Sequence, residues 1–100
     1  MAQVQLTVEE ANKAIEEIIR FGIVEYTEHC IRDSFRKRDV TRMDVQKVLW
    51  YGEVKQEGEW NEDYNNWSYK IEGLDRIGEE LIAVSIIYVD YNHLKIITVY

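Results

Sequence analysis

The sequence predicts an α+β domain, three helices followed by four strands, on three observations. Up to Gly52, apolar residues recur at helical spacing between cap-like residues. After Gly52 the period falls to two, with Trp67, Tyr69 and Ile71 alternating with Ser68, Lys70 and Glu72. The chain has 100 residues and is 46% hydrophobic, enough for one core and too little for two, so residues 1–100 are read as a single domain.

The first helix is expected over about residues 8 to 20. Thr7 supplies a capping oxygen, Glu9 and Glu10 lie near the positive end of the dipole, Ala11, Ile15, Ile18 and Ile19 form a stripe, and Gly22 ends it. A second helix is expected over about 25 to 37, with Val24, Ile31 and Phe35 inward and His29, Arg32 and Arg36 on the opposite side. A third begins at Thr41, with Asp44 completing a variant capping box, Met43, Val45, Val48 and Leu49 apolar, and Gly52 as its stop. Glu53 to Trp60 reads as the first strand and the polar run Asn61 to Asn66 as a loop. The Trp67 alternation is the second strand. Leu81 to Val89 is almost continuously β-branched or aromatic, as suits a central strand, and Leu94 to Tyr100 is similar. Asp90-Tyr91-Asn92-His93 is the turn between them. The final strand should dock Tyr100 into the sheet.

Twelve Lys and Arg against nineteen Asp and Glu give a net charge of −7, which repels phosphate at long range and disfavours non-specific attraction to nucleic acid or anionic lipid. One window runs the other way. Residues 32 to 47 hold six cations and three acids, a balance of +3, leaving −10 for the remainder. That window reads either as solvated helix faces with dipole-complementing ends or as an anion site. Cys30 is the sole cysteine and cannot form an internal disulfide, and Met1-Ala2-Gln3-Val4 lacks the start of a signal peptide, so a reducing cytoplasm is expected. No apolar run approaches the ~20 residues that span a bilayer, and no membrane partner is expected.

His29 is the candidate general acid or base, because imidazole titrates near neutral pH. Arg32 and Arg36, one and two turns later, are cations that could hold a phosphate on the same face. These residue types suit phosphodiester cleavage, in which a proton must be moved and a charged phosphorane stabilised. The same three residues equally describe an ordinary solvated helix face. Arg38 sits near the helix end, where it can cap carbonyls or reach under the sheet. Tyr69 and Lys70 point to opposite faces of their strand, so only one of them can join a given site, whereas Thr98 and Tyr100 share a face. No metal site is expected, since the soft ligands are His29, Cys30 and His93 and adjacent helical residues diverge. Neither a GxGxxG nor a P-loop pattern occurs, and no cofactor is expected.

The order of Tyr26-Thr27-Glu28-His29, Arg32, Arg38, the Val40-to-Leu49 helix, Gly52-Glu53, the Tyr69-to-Gly73 strand and the closing Ile96-Ile97-Thr98-Val99-Tyr100 resembles a bacterial domain-of-unknown-function family allied to the RelE, BrnT and MqsR toxins. The likeness runs from about Ala11 to Tyr100. Two departures accompany it: Arg38-Asp39-Val40 stands where such families usually show Arg-Gly-Ile, and the chain is acidic where ribosome-associated toxins are basic. The resemblance implies helices packed on one face of a curved, four-stranded antiparallel sheet, a RelE-like fold. It also implies a toxin-like, metal-independent endoribonuclease with His29, Arg32, Arg36 and Tyr100 as catalytic candidates and Arg38, Tyr69 and Lys70 as RNA contacts. RNA and an antitoxin-like protein are the partners it implies. The other reading is a non-catalytic interaction module of the same fold, for which Trp50, Trp60 and Trp67 would form an exposed patch; a homodimer through an unpaired strand edge belongs with it.

Overall fold

A computed structural model describes residues 4–100, and the reading of the extreme N-terminus as free of a leader lies partly outside those residues. Helix α1 (Val8–Phe21) begins with a full capping box: Glu10 N donates to Thr7 Oγ1 at 3.1 Å and Thr7 N donates to Glu10 Oε1 at 2.9 Å. Its stripe of Ala11, Ile15 and Ile18 is buried. Gly22 then turns the chain directly against Asn92, where a Cβ would lie 2.1 Å from the Asn92 backbone O.

The next four residues correct the expected helix. Strand β1 (Ile23–Tyr26) runs parallel to the last strand, pairing Ile23 with His93 through Tyr26 with Ile96. Its β-branched and aromatic residues favour an extended chain once such a partner exists. The helical stretch starts only after Thr27. It contains a π-helical turn at Cys30–Ser34, in which Phe35 N–H bonds Cys30 O, and closes as the short helix α2 (Phe35–Arg38) with Asp39 in the left-handed region at φ 54°. The wider turn shifts the phase of the helix, so Cys30, Ser34 and Phe35 are buried while Ile31, expected inward, is exposed.

Helix α3 (Arg42–Tyr51) ends at Gly52 as expected and buries Val45, Val48 and Leu49. The expected first strand is realised as two short ones, β2 (Glu53–Val54) and β3 (Glu59–Asn61), both pairing with β4 (Asn66–Leu74). The break falls where Gly58 lies against the Tyr69 ring: a Cβ there would be 2.7 Å from Tyr69 Cε1. Strand β5 (Glu80–Tyr88) is central, and a 3-10 turn at Val89–Tyr91 with Asn92 left-handed leads into β6 (His93–Val99). Tyr100 extends the pairing, its N and O bonding Ile82 at 3.0 and 2.8 Å.

The α+β class therefore holds, but the expected four-stranded antiparallel sheet is a six-stranded mixed one. Its order is β1-β6-β5-β4-β2, with β3 also on β4. The extra strands were hidden for two reasons. β1 finds its partner about 70 residues away in sequence, and β2 and β3 are each too short to show a period.

One sheet face is covered by α1 and α3. There Ala11, Ile15, Ile18, Val45, Val48 and Leu49 meet Ile71, Leu81, Ala83, Leu94, Ile96 and Val99 in one core. The opposite face carries a smaller cluster of Val84, Ile86 and Ile97, flanked by Tyr64 and Tyr88. No helix among the described residues is long and apolar enough to cross a membrane.

Candidate functional site on the open sheet face

His29 reaches the open face because Thr27 fastens the start of its helix to β6. Thr27 N donates to Ile96 O at 3.0 Å, and the Thr27 hydroxyl donates to Ile97 O at 3.3 Å while accepting from Cys30 N at 3.1 Å. The last of these is an N-cap, which fixes the direction in which the helix leaves the sheet. One turn on, Ser34 and Thr98 share a hydroxyl–hydroxyl bond of 2.7 Å.

The strand opposite is irregular at this level. Ser85 pairs with Ile96 but Val84 pairs with Thr98, so Ile97 is an extra residue in β6. A one-residue bulge of this kind turns two successive side chains toward one side. Ile97 and Thr98 thus both line a depression of about 610 Å³, with His29 on one wall and Asn61, Asp63 and Tyr64 of the β3–β4 turn on the other.

His29 Nδ1 lies 2.9 Å from Asp33 Oδ2. A carboxylate can only accept, so Nδ1 carries the proton and Nε2 is left as the basic nitrogen. The two residues are four apart, the spacing at which helical side chains meet, and the pair is open to solvent. Beside the depression, Lys95 places its ammonium 5.5 Å from the Tyr64 ring centre and 5.8 Å from that of Tyr88. Next to it His93 Nε2 bonds Glu25 Oε1 at 2.9 Å.

The remaining sequence candidates divide. Tyr100 and Lys70 belong to the open face: the Tyr100 side chain first, and then the Glu59 carboxylate 3.5 Å from Lys70 Nζ, hold the Lys70 pKa above its ordinary value. Tyr69 points the other way, buried in the core with its hydroxyl accepting from Leu6 N at 2.7 Å; burial, the largest effect, raises its pKa. It cannot contact a ligand on the open face. Arg38 is a structural anchor, donating to Glu80 O and lying 4.0 Å from Asp75 and 3.8 Å from Glu79. Arg32 is paired with Glu28 at 2.7 Å, and Arg32 and Arg36 are exposed residues outside the lining of the depression. The tryptophans do not form one patch. Trp60 meets Trp67 edge-on at 5.5 Å, whereas Trp50 lines a groove between α1 and α3.

Sequence reasoning missed Asn61, Asp63, Tyr64, Ile97 and Lys95. A signal existed for Lys95 and Ile97, which alternate outward on one strand, and Thr27 could have been read as an N-cap. None existed for the β3–β4 turn, whose approach to His29 depends on the whole sheet.

In class, then, this is an α+β protein with helices on one face of a mixed sheet and a depression on the other. The family described as a domain of unknown function, DUF4258, matches residues 26–100, and the chain belongs to it. No curated protein and no solved structure matches the chain.

Proposed function

We propose that the depression on the open sheet face is the active site of a metal-independent endoribonuclease of the toxin-like, RelE-related kind, acting on single-stranded RNA in the cytoplasm. The observation that carries this reading is His29, its Nδ1 held by Asp33 at 2.9 Å, on the wall of a cavity of about 610 Å³. In the reaction His29 Nε2 takes the proton of a ribose 2′-hydroxyl. The 2′-oxygen attacks the adjacent phosphorus, the bond from phosphorus to the 5′-oxygen breaks, and that oxygen takes a proton from water, leaving a 2′,3′-cyclic phosphate. Tyr100 and Lys70 lie on the same face but, like the arginines, outside the lining of the depression, and in this reading they meet the strand away from the reacting phosphate. Arg32 and Arg36 are better suited to its flanks than to the reacting phosphate, given their position outside the depression. An antitoxin-like protein is the partner this reading implies.

The test is cleavage of a pool of labelled single-stranded RNAs without added metal. Replacing a general base costs about 10²- to 10⁴-fold, so the His29→Ala variant should lose cleavage to that extent. A wild-type protein that is folded yet inert, or a variant as active as wild type, would refute the proposal.

A second reading, a non-catalytic interaction module, draws on the exposed Trp50 in the α1–α3 groove with Ile15, Ile19 and Leu49, and on the net charge of −7. A protein or a second copy would be its partner.

A further inference from the structure

We infer that Lys95, with Tyr64, is the nucleotide-holding pair of this site: Lys95 binds a backbone phosphate of a single-stranded RNA and Tyr64 stacks on the adjoining base. This rests on the RNA reading of the depression and deepens it, since it moves the phosphate contact from the arginines of the helix to a lysine of the sheet.

Lys95 projects from β6 on the open face, opposite Ile86 and two residues before Ile97, which lines the depression. Two residues of strand span about 7 Å, so one nucleotide can touch both positions. Among the described residues Lys95 has no ion pair; its contacts are the faces of Tyr64 and Tyr88. The nearest acid across the β1–β6 pairing is Glu25, the register partner of Lys95, and Glu25 is engaged by His93 at 2.9 Å. Three other cations of the region are already engaged. Arg32 is neutralised by Glu28, Lys70 is shared between Tyr100 and Glu59, and Arg38 is tied to Glu80, Asp75 and Glu79. A cation resting on aromatic rings keeps its charge available to an anion, and it stiffens the rings against which it lies.

Tyr64 is half-buried, lines the depression, and has its backbone N bonded to Asn61 Oδ1 at 3.3 Å within the turn. A tyrosine held in this way beside an unneutralised lysine matches the stacking platform and cation by which single strands are bound without base pairing. Asp63 and Glu25 add negative charge nearby, so non-specific attraction is weak and the contact depends on the seated phosphate.

The probe is a fluorescent oligonucleotide with 2′-O-methyl riboses, which binds but cannot be cleaved, titrated by anisotropy over a range of salt concentrations. One phosphate contact contributes about 0.7 to the log–log salt slope for a single strand. Lys95→Gln should weaken binding about tenfold and reduce the slope by about that amount, while Lys95→Arg restores both. Tyr64→Leu should weaken binding by about five- to a hundredfold with the slope unchanged. Circular dichroism of each variant establishes folding; Lys95 is a surface side chain and its substitution leaves the core intact. If wild type binds and Lys95→Gln matches it in affinity and slope, the assignment of Lys95 is overturned while the RNA reading stands. If wild type neither binds the probe nor cleaves RNA, both fall together.

Discussion

Removing the Asp44 carboxylate should cost this protein about 2.5–4 kcal/mol, although the residue is not among those that line the depression. Asp44 is 1% exposed. Its Oδ2 accepts from Thr41 N at 2.9 Å and its Oδ1 from Arg76 N at 2.9 Å, so one side chain joins the start of α3 to the β4–β5 turn. A hydrogen bond to a charged group contributes about 1.5–3 kcal/mol net. The Thr41 bond sits at a solvent-facing helix start, where loss of a cap costs about 1 kcal/mol. Together these give the figure for Asp44→Ala. Asn does not rescue it: the amide offers one carbonyl oxygen, and its NH₂ then confronts the other N–H, so Asp44→Asn should still lose about 1.5–3 kcal/mol.

The assay is urea unfolding at pH 7 and at lower pH. Burial, the largest single effect, pushes the Asp44 carboxyl up. The N–H groups of Arg76 and Thr41, the Arg76 charge and the Thr41 hydroxyl outweigh it, and the folded-state pKa lies below the ordinary 3.8. A depressed carboxyl stabilises fully above its unfolded value and loses that contribution as pH falls through the folded value. The deficit of Asp44→Ala should therefore be constant from about pH 5 to 8 and shrink below about pH 4. An Asp44→Asn protein within about 0.5 kcal/mol of wild type at pH 7, a margin typical of plain surface changes, would refute this reasoning.

Cys30 should resist alkylation in the folded state, because burial pushes its thiol from 9.0 to about 11. At pH 8 its thiolate fraction falls about a hundredfold below that of the unfolded chain, so iodoacetamide labelling that proceeds at the unfolded rate would contradict the packing. Thr27→Val should destabilise by about 1 kcal/mol through loss of the N-cap, with Thr27→Ser close to wild type, as read by denaturant midpoint. On the ribonuclease reading proposed above, only the valine variant should also slow RNA cleavage, since it frees the helix start that carries His29. Gly22→Ala forces a Cβ to within 2.1 Å of Asn92 O, and a thermal melt should show a loss of about 1–3 kcal/mol or more.

The sequence by itself determined the elements whose signals are local. Thr7 with Glu10 and Thr41 with Asp44 mark helix starts because a cap is satisfied within one turn. Leu81 to Val89 reads as a central strand because burial on both faces leaves no polar period. Separation of Lys70 from Tyr69 followed from strand alternation alone. Tertiary structure decided what depends on distant partners. Ile23-Val24-Glu25-Tyr26 became a strand only because β6 offered it a parallel edge, and the π turn after it moved Ile31 out and Cys30 in. The site depended on the same long-range fit. By strict alternation Ile97 and Thr98 would face opposite sides, and the bulge against Val84 and Ser85 brings both beneath His29. A residue's period is written in its neighbours, but a bulge is set by the register of two strands. The depression that gathers His29, Tyr64 and Thr98 therefore exists only once the whole sheet has formed.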